Sequence, residues 1–342
     1  NDAAPAIFGT NVFDLLPYLN SKVTQKLLSA RGMTTNNTTG VIGELPIKEM
    51  DSTYVNQIAK QCVVIAENDW NSFETSWEFQ KHPVISKNIK ALTTAESFKA
   101  WEKHCGLNIS TMKNLEEENN KLLIEAYDLE DELSPEVLEE QITLTGADRV
   151  EDTKSLISYS IGCMMGRYSL DQPGLIYAQS CNQNFDETFY LKFTADEDGI
   201  LPLLDMDWEF EDDITLRFEE FLKVVWDEKT LFENLEFVAG AFSPKQNETP
   251  KDTIRRYLVS KFFDDHLKTY KKRPIYWLVS SGKEKAFEAL IYLHRYNEAT
   301  LARMRNDYVI PLQGKMNKRT VYLEDQVKQG GSASLVSPSQ KE

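Results

Sequence analysis

Apolar positions along this chain recur mostly at helical spacing, broken by a few short extended runs. In "FDLLPYLNSKVTQKLL" the positions Leu15, Leu19, Val23 and Leu27 predict a helix. A polar loop, "ARGMTTNNTTG", and a short extended piece, "VIGELPIK", come next. From Asp51, Val55, Ile58, Cys62, Val63 and Ala66 form one stripe, which predicts an amphipathic helix with Asp51 as its N-cap. Residues 97–133 continue as helix, and "LSPEVLEE" opens another with Ser134 at the cap and Pro135 at its first position. Nearer the end, "RPIYWLVSSGKEKAFEALIYLHRY" predicts a strand after Pro274, a turn at "SSG" and a helix beginning near Lys283. The expected fold class is α+β, predominantly α, with short strands.

Two local patterns modify this picture. Ser158, Gly162 and Gly166 repeat every four residues, clearing one helix face for close packing by another backbone, since glycine inside a helix costs ~1 kcal/mol relative to alanine. Residues 196–213 hold nine acids and no Lys or Arg. Within them Asp205, Asp207 and Glu209 alternate as in a calcium loop, but Phe210 stands where the turn glycine belongs and the closing glutamate is missing. The stretch therefore reads as a solvated acidic loop, and no metal site is expected.

Charge is segregated. The chain carries a formal net charge of -16, yet Lys251 to Arg319 holds 16 Lys and Arg against 7 Asp and Glu, a local +9 that leaves −25 on the rest. "TYKKRPIYW" sets Lys271, Lys272 and Arg273 side by side among aromatic residues. Cations flanked by rings are the footprint of contact with nucleic acid, while pairing with the acidic part of the same chain is the plainer reading.

Other chemistry finds no support. The longest uncharged apolar run, "SLISYSIGCMMG", is far shorter than the ~20 residues of a membrane span, and no secretory signal is read at the N-terminus, so a cytoplasmic location and no membrane partner are expected. The four cysteines lie far apart without a C-x-x-C pair and read as reduced, buried thiols. His82, His104, His266 and His294 show no metal spacing. Around "SSGK" the places that a phosphate loop reserves for glycine and Ser or Thr hold Trp277 and Glu284. Asp213 with Asp227, Glu228 and Lys229 imitates a metal-dependent nuclease set only on helical spacing.

Several stretches together carry a family resemblance. "WNSFETSWEFQKHP", "NNKLLIEAYDLEDELSPEVLEEQITLT", "SYSIGCMMGRYSLDQPGLIYA", "DGILPL" and "FFDDHLKTYKKRPIYWLVSSGKEKAFEALIYLHRY" resemble, in that order, the C-terminal half of the PglX-type adenine-specific DNA methyltransferases of BREX (bacteriophage exclusion) systems. "GRYSLDQPGL" and "KTYKKRPIYW" are the most specific of them. The resemblance implies a parent enzyme that transfers a methyl group from S-adenosylmethionine to adenine N6, holding a flipped-out base in a loop built on a Pro-Pro dipeptide. No Pro-Pro dipeptide occurs here, so no catalytic or cofactor-binding residue is expected in this chain.

What the resemblance implies for the chain is a DNA-facing region, with double-stranded DNA as the parent's partner and other BREX components as a further partner class. Residues 1–50 then read as the end of a target-recognition region whose polar loop, Thr34 to Thr39, approaches DNA. After it come a helical spacer (51–150), a mixed acidic segment (151–250), a basic strand-turn-helix segment (251–329) and a flexible tail (330–342). The DNA-binding candidates are Arg167, Lys268, Tyr270, Lys271, Lys272, Arg273, Lys283 and Arg295. The alternative is a protein-interaction or scaffold module of the defence system, its cations paired internally and making no DNA contact.

Overall fold

The computed structural model describes residues 12–31, 38–48 and 52–328. The Asp51 cap, the loop residues Thr34 to Asn37 and the tail from Gly330 lie outside them. The chain divides into two compact units, Asn1–Glu78 with Ser97–Asp148, and Phe79–Glu96 with Arg149–Glu342.

The first unit is helical: α1 (Val12–Leu19), α2 (Lys22–Arg31), α3 (Thr39–Gly43), α4 (Ser52–Trp70) and most of α5 (Thr94–Ala126). The single helix expected from Leu15 to Leu27 is two. The break falls at Ser21, whose side chain donates to the Tyr18 carbonyl and accepts the Thr24 amide, so a buried hydroxyl caps the second helix where the apolar spacing shows no interruption. Val41 and Ile42, read as extended, lie in α3, which Thr38 caps. Tyr18, Val23, Leu45, Leu123 and Ile124 form one core, and α4 presents Val55 and Ile58 from the predicted stripe.

The helix expected through residue 133 stops at Ala126, with Asp128 at φ 55. No helix starts at Ser134 either. Its hydroxyl accepts the Glu136 amide in a local turn, and the Glu117 carboxylate takes the Val137 amide while Val137 packs with Met112 and Ile142. Tertiary burial of one valine overrides a good cap and a proline at N1.

The second unit is built around α6 (Arg149–Met164) and an antiparallel sheet of β1 (Ile200–Leu203), β2 (Tyr276–Ser280) and β3 (Glu288–Tyr292), in the order β1-β3-β2. Around them run α7 (Ile214–Trp226), α8 (Leu231–Gly240), α9 (Pro250–Ser260), α10 (Phe262–Thr269), α11 (Thr300–Arg303) and α12 (Ile310–Lys328). The mixed, mainly helical class is as expected. One element of the basic segment is not: the helix predicted near Lys283 is the strand β3. "EALIY" is buried at all five positions and pairs with β1 on one side and β2 on the other, and an apolar run covered on both faces has no period to distinguish strand from helix.

The small-residue pattern of α6 does clear space, but for rings. A Cβ on Gly162 would lie 2.4 Å from a Tyr168 ring carbon and 3.2 Å from the Tyr276 hydroxyl. Gly166 sits beyond the helix end at φ +79, where a Cβ would meet Phe185 at 2.7 Å. Cys105 and Cys163 are buried as expected, whereas Cys181 is exposed.

Candidate nucleic-acid interface

The basic turn grows out of the end of α10. The amide of Lys271 donates to the Lys268 carbonyl (3.1 Å) and that of Lys272 to the Leu267 carbonyl (2.7 Å), closing the helix, while the Arg273 amide reaches the Tyr270 carbonyl (2.9 Å). This geometry puts Lys271 at φ 51 and Lys272 at φ 62, left-handed values that non-glycine residues adopt at a cost of order 1 kcal/mol each.

His266 ties the turn to the sheet. Its Nε2 accepts the amides of Ile275 (3.1 Å) and Tyr276 (3.3 Å), so the turn is anchored at the point where β2 begins. The imidazole is 3% exposed, stacked on Tyr276 and tilted against Tyr270, with centroids 4.9 and 4.8 Å away. Burial, with the Arg167 charge second, lowers its pKa to about 4. The unfolded chain therefore takes up this proton first as pH falls, so the stability that neutral His266 provides is present above pH ~6.5 and is lost as pH drops toward about 4. We expect His266→Gln to be destabilised relative to wild type at pH 7.5, and the gap between their urea midpoints to narrow by pH 4.5. Parallel curves across that range would show that His266 is not a neutral acceptor holding the turn.

Around this turn the cations divide into two groups. Arg255 is bidentate with Asp213 (2.7 and 3.0 Å), Arg256 with Glu248 (2.7 and 3.0 Å), and Lys251 pairs with Glu219, Lys285 with Glu288 and Lys315 with Glu209. Lys268 is exposed and pairs with Asp265 at 3.0 Å. Lys271, Lys272, Arg273 and Lys283 are exposed and have no ion-pair partner among the described residues. Three of the four adjoin one another. Lys283 lies beyond the far end of β2, roughly 14 Å of strand away.

The remaining candidates go elsewhere. Arg295 is 1% exposed, its guanidinium donating to the carbonyls of Asp196 and Glu197 and to Asn182 Oδ1 (2.9 Å) and lying 3.9 Å from the Phe185 ring centroid. It is a latch on the acidic turn and leaves the set of phosphate contacts, because every arm of its fork is already engaged. Tyr276 and Tyr292 are 0% exposed and cannot stack on a base, whereas Trp277, next along the edge strand, is 53% exposed. Tyr270 is half-buried against His266. Arg167 is partly exposed and stands among Tyr168, Tyr270, Tyr276 and Tyr292, so "GRYSLDQPGL" and "KTYKKRPIYW" meet in one cluster.

The acidic stretch borders the sheet's other edge. Asp196 Oδ1 accepts the amides of Asp198, Gly199 and Ile200, making a turn into β1. Asp196, Glu197, Asp198, Glu211, Asp212 and Asp307 line a cleft of about 510 Å³ with Arg303 and Tyr308. Burial, and then neighbouring acids, push Asp198 up to about 7, and burial pushes Asp212 up to about 6, with the Tyr308 hydroxyl donating to Asp212 and lying 3.3 Å from Asp198 Oδ2. Asp205 and Asp207 engage their carboxylates with the Trp208 indole and the Glu209 amide, and no cluster of three or more potential metal ligands occurs among the described residues. Asp213, the first acid of the nuclease-like set, is wholly engaged in capping α7 and holding Arg255.

The chain is similar to two curated proteins. It is 41% identical over 350 residues to an adenine-specific methyltransferase, BrxX, from Escherichia coli O9:H4 (strain HS), and 37% identical over 320 residues to an adenine-specific methyltransferase, PglX, from Lacticaseibacillus casei (strain Zhang). These matches cover 95% and 92% of this chain but only 28% and 26% of the relatives. No family model matches. Among the described residues no helix is long and apolar enough to cross a membrane.

Proposed function

We propose that this chain, a homologue of a segment of the PglX-type adenine-specific methyltransferases, is the DNA-facing supporting part of an N6-adenine DNA methyltransferase of a phage-defence system. The observation that carries this reading is the run of three adjacent exposed cations without ion-pair partners among the described residues, held on a hydrogen-bonded turn. Lys271, Lys272 and Arg273 meet the phosphate backbone, Lys268 adds its charge from the last turn of α10, and Lys283 extends the footprint past β2. Such contacts set position and register without reading sequence. Trp277 offers an exposed ring beside them. Methyl transfer, with S-adenosylmethionine as donor and a flipped adenine as acceptor, is assigned to the remainder of the parent enzyme in the cytoplasm.

The net charge of -16 and the internal pairing of Arg255, Arg256 and Lys251 favour a second reading, in which the chain docks other defence components and touches no DNA. A fluorescence-anisotropy titration of this chain with a short duplex in 20 mM and 200 mM salt separates the two. Salt-sensitive binding is expected, and its absence at both concentrations would leave the docking reading.

A further inference from the structure

Arg167 is a charge without a counter-charge among the described residues. It comes after α6 and the left-handed Gly166, its backbone pinned by the Gly162 carbonyl (2.8 Å) and by the Ile176 amide (2.9 Å). Its Nε donates to the Tyr168 hydroxyl at 3.2 Å, with the Tyr168 ring centroid 5.3 Å away, and its side chain also meets the Tyr292 hydroxyl. No carboxylate lies within ion-pair distance among the described residues, although a guanidinium largely withdrawn from water normally has one. The phenolic oxygens around it are neutral dipoles at pH 7.

The other groups here are donors too. His266 uses Nε2 as a double acceptor, which puts its proton on Nδ1, and that buried nitrogen has no hydrogen-bond partner. His294, next to Tyr292 at 5.3 Å between centroids, feels the Arg167 charge as well. A guanidinium without an ion pair among the described residues, in the same aromatic cluster as a buried imidazole N–H that has no hydrogen-bond partner, defines a place for an oxyanion, and its planar fork matches phosphate in a bidentate mode.

We propose that Arg167 anchors a site for a single phosphate oxyanion, walled by Tyr168, Tyr270 and Tyr292. Its phosphate comes either from a DNA backbone lying along the basic turn or from a free phosphoryl compound. The first source rests on the proposed function above; the oxyanion site itself does not.

The test uses the full-length methyltransferase, its Arg167→Lys and Arg167→Gln variants, and a control in which Lys271, Lys272 and Arg273 are all alanine. Thermal unfolding is monitored with inorganic phosphate against chloride at matched ionic strength, and DNA affinity is measured against salt. Phosphate should raise the wild-type and control Tm but not that of either Arg167 variant, since lysine keeps the charge and loses the fork. With DNA as the source, Arg167→Gln should also lower the slope of log K against log salt by about 1. A phosphate-specific Tm rise with an unchanged slope assigns the site to a free phosphoryl compound. A rise that persists in both variants, or no rise in wild type together with an unchanged slope, overturns the site. Failure of the reading in terms of DNA appears separately, as unaltered DNA binding by the triple-alanine control.

Discussion

On the proposed function, replacing Lys271, Lys272 and Arg273 together by alanine in the proposed parent methyltransferase is expected to weaken DNA binding at least tenfold at 0.1 M salt and to flatten its salt dependence. The magnitude comes from counterion release: each phosphate neutralised contributes about 0.9 to the slope of log K against log salt, so three lost contacts lower it by about 2.7. The effect should be uniform across target sequences, because backbone contacts carry no base information. Folding should survive, since all three side chains are exposed and none forms an ion pair among the described residues. Alanine at 271 and 272 keeps the left-handed backbone no worse than lysine does, so the test reads charge and leaves conformation unaltered. An unchanged affinity and slope in a folded variant would falsify the proposed contact.

The second large effect is on stability. Asp213→Ala should destabilise the second unit by about 3–5 kcal/mol, and Arg255→Ala by a similar amount, because each leaves its partner as a buried uncompensated charge. The carboxylate is 0% exposed and accepts four bonds, two from the amides of Thr215 and Leu216 and two from Arg255, so its removal also uncaps α7. The guanidinium in turn carries the Leu204 and Met206 carbonyls just beyond β1. Replacing both partners by Leu and Met should cost less than the sum of the two single changes. Urea unfolding would decide the matter: a loss under ~1 kcal/mol for either single variant means that the pair does not organise this core.

This pair shows where reading the sequence stops. Asp213 stands among acids that imitate a metal site, and Arg255 lies 42 residues later in a segment whose net charge suggests an external partner. Nothing in either neighbourhood signals that each is the other's ion-pair partner, because ion pairing is a property of the folded backbone. Arg295 misleads in the same way: a cation beside exposed cations in sequence becomes a buried latch once β3 turns back toward the acidic turn. The α4 stripe and the strand after Pro274 were legible, since period and proline act locally. The break at Ser21, the loss of a helix at Ser134 and the strand β3 were not, since each is decided by partners distant along the chain. The candidate site was legible as a charge run and as two family-specific stretches, and their meeting around Arg167 appears only in three dimensions.

The left-handed lysines also bear on binding entropy. A disordered cationic tail loses roughly 1–2 kcal/mol of backbone freedom for every residue that a polyanion immobilises. At Lys271 and Lys272 the hydrogen bonds to Lys268 and Leu267 have settled the backbone during folding, so an encounter with DNA orders little beyond the side-chain rotamers. Moving the same three cations to a flexible terminus would therefore preserve the ionic-strength response while lowering the affinity, and the difference between those two readings measures what folding contributes to the interface in advance.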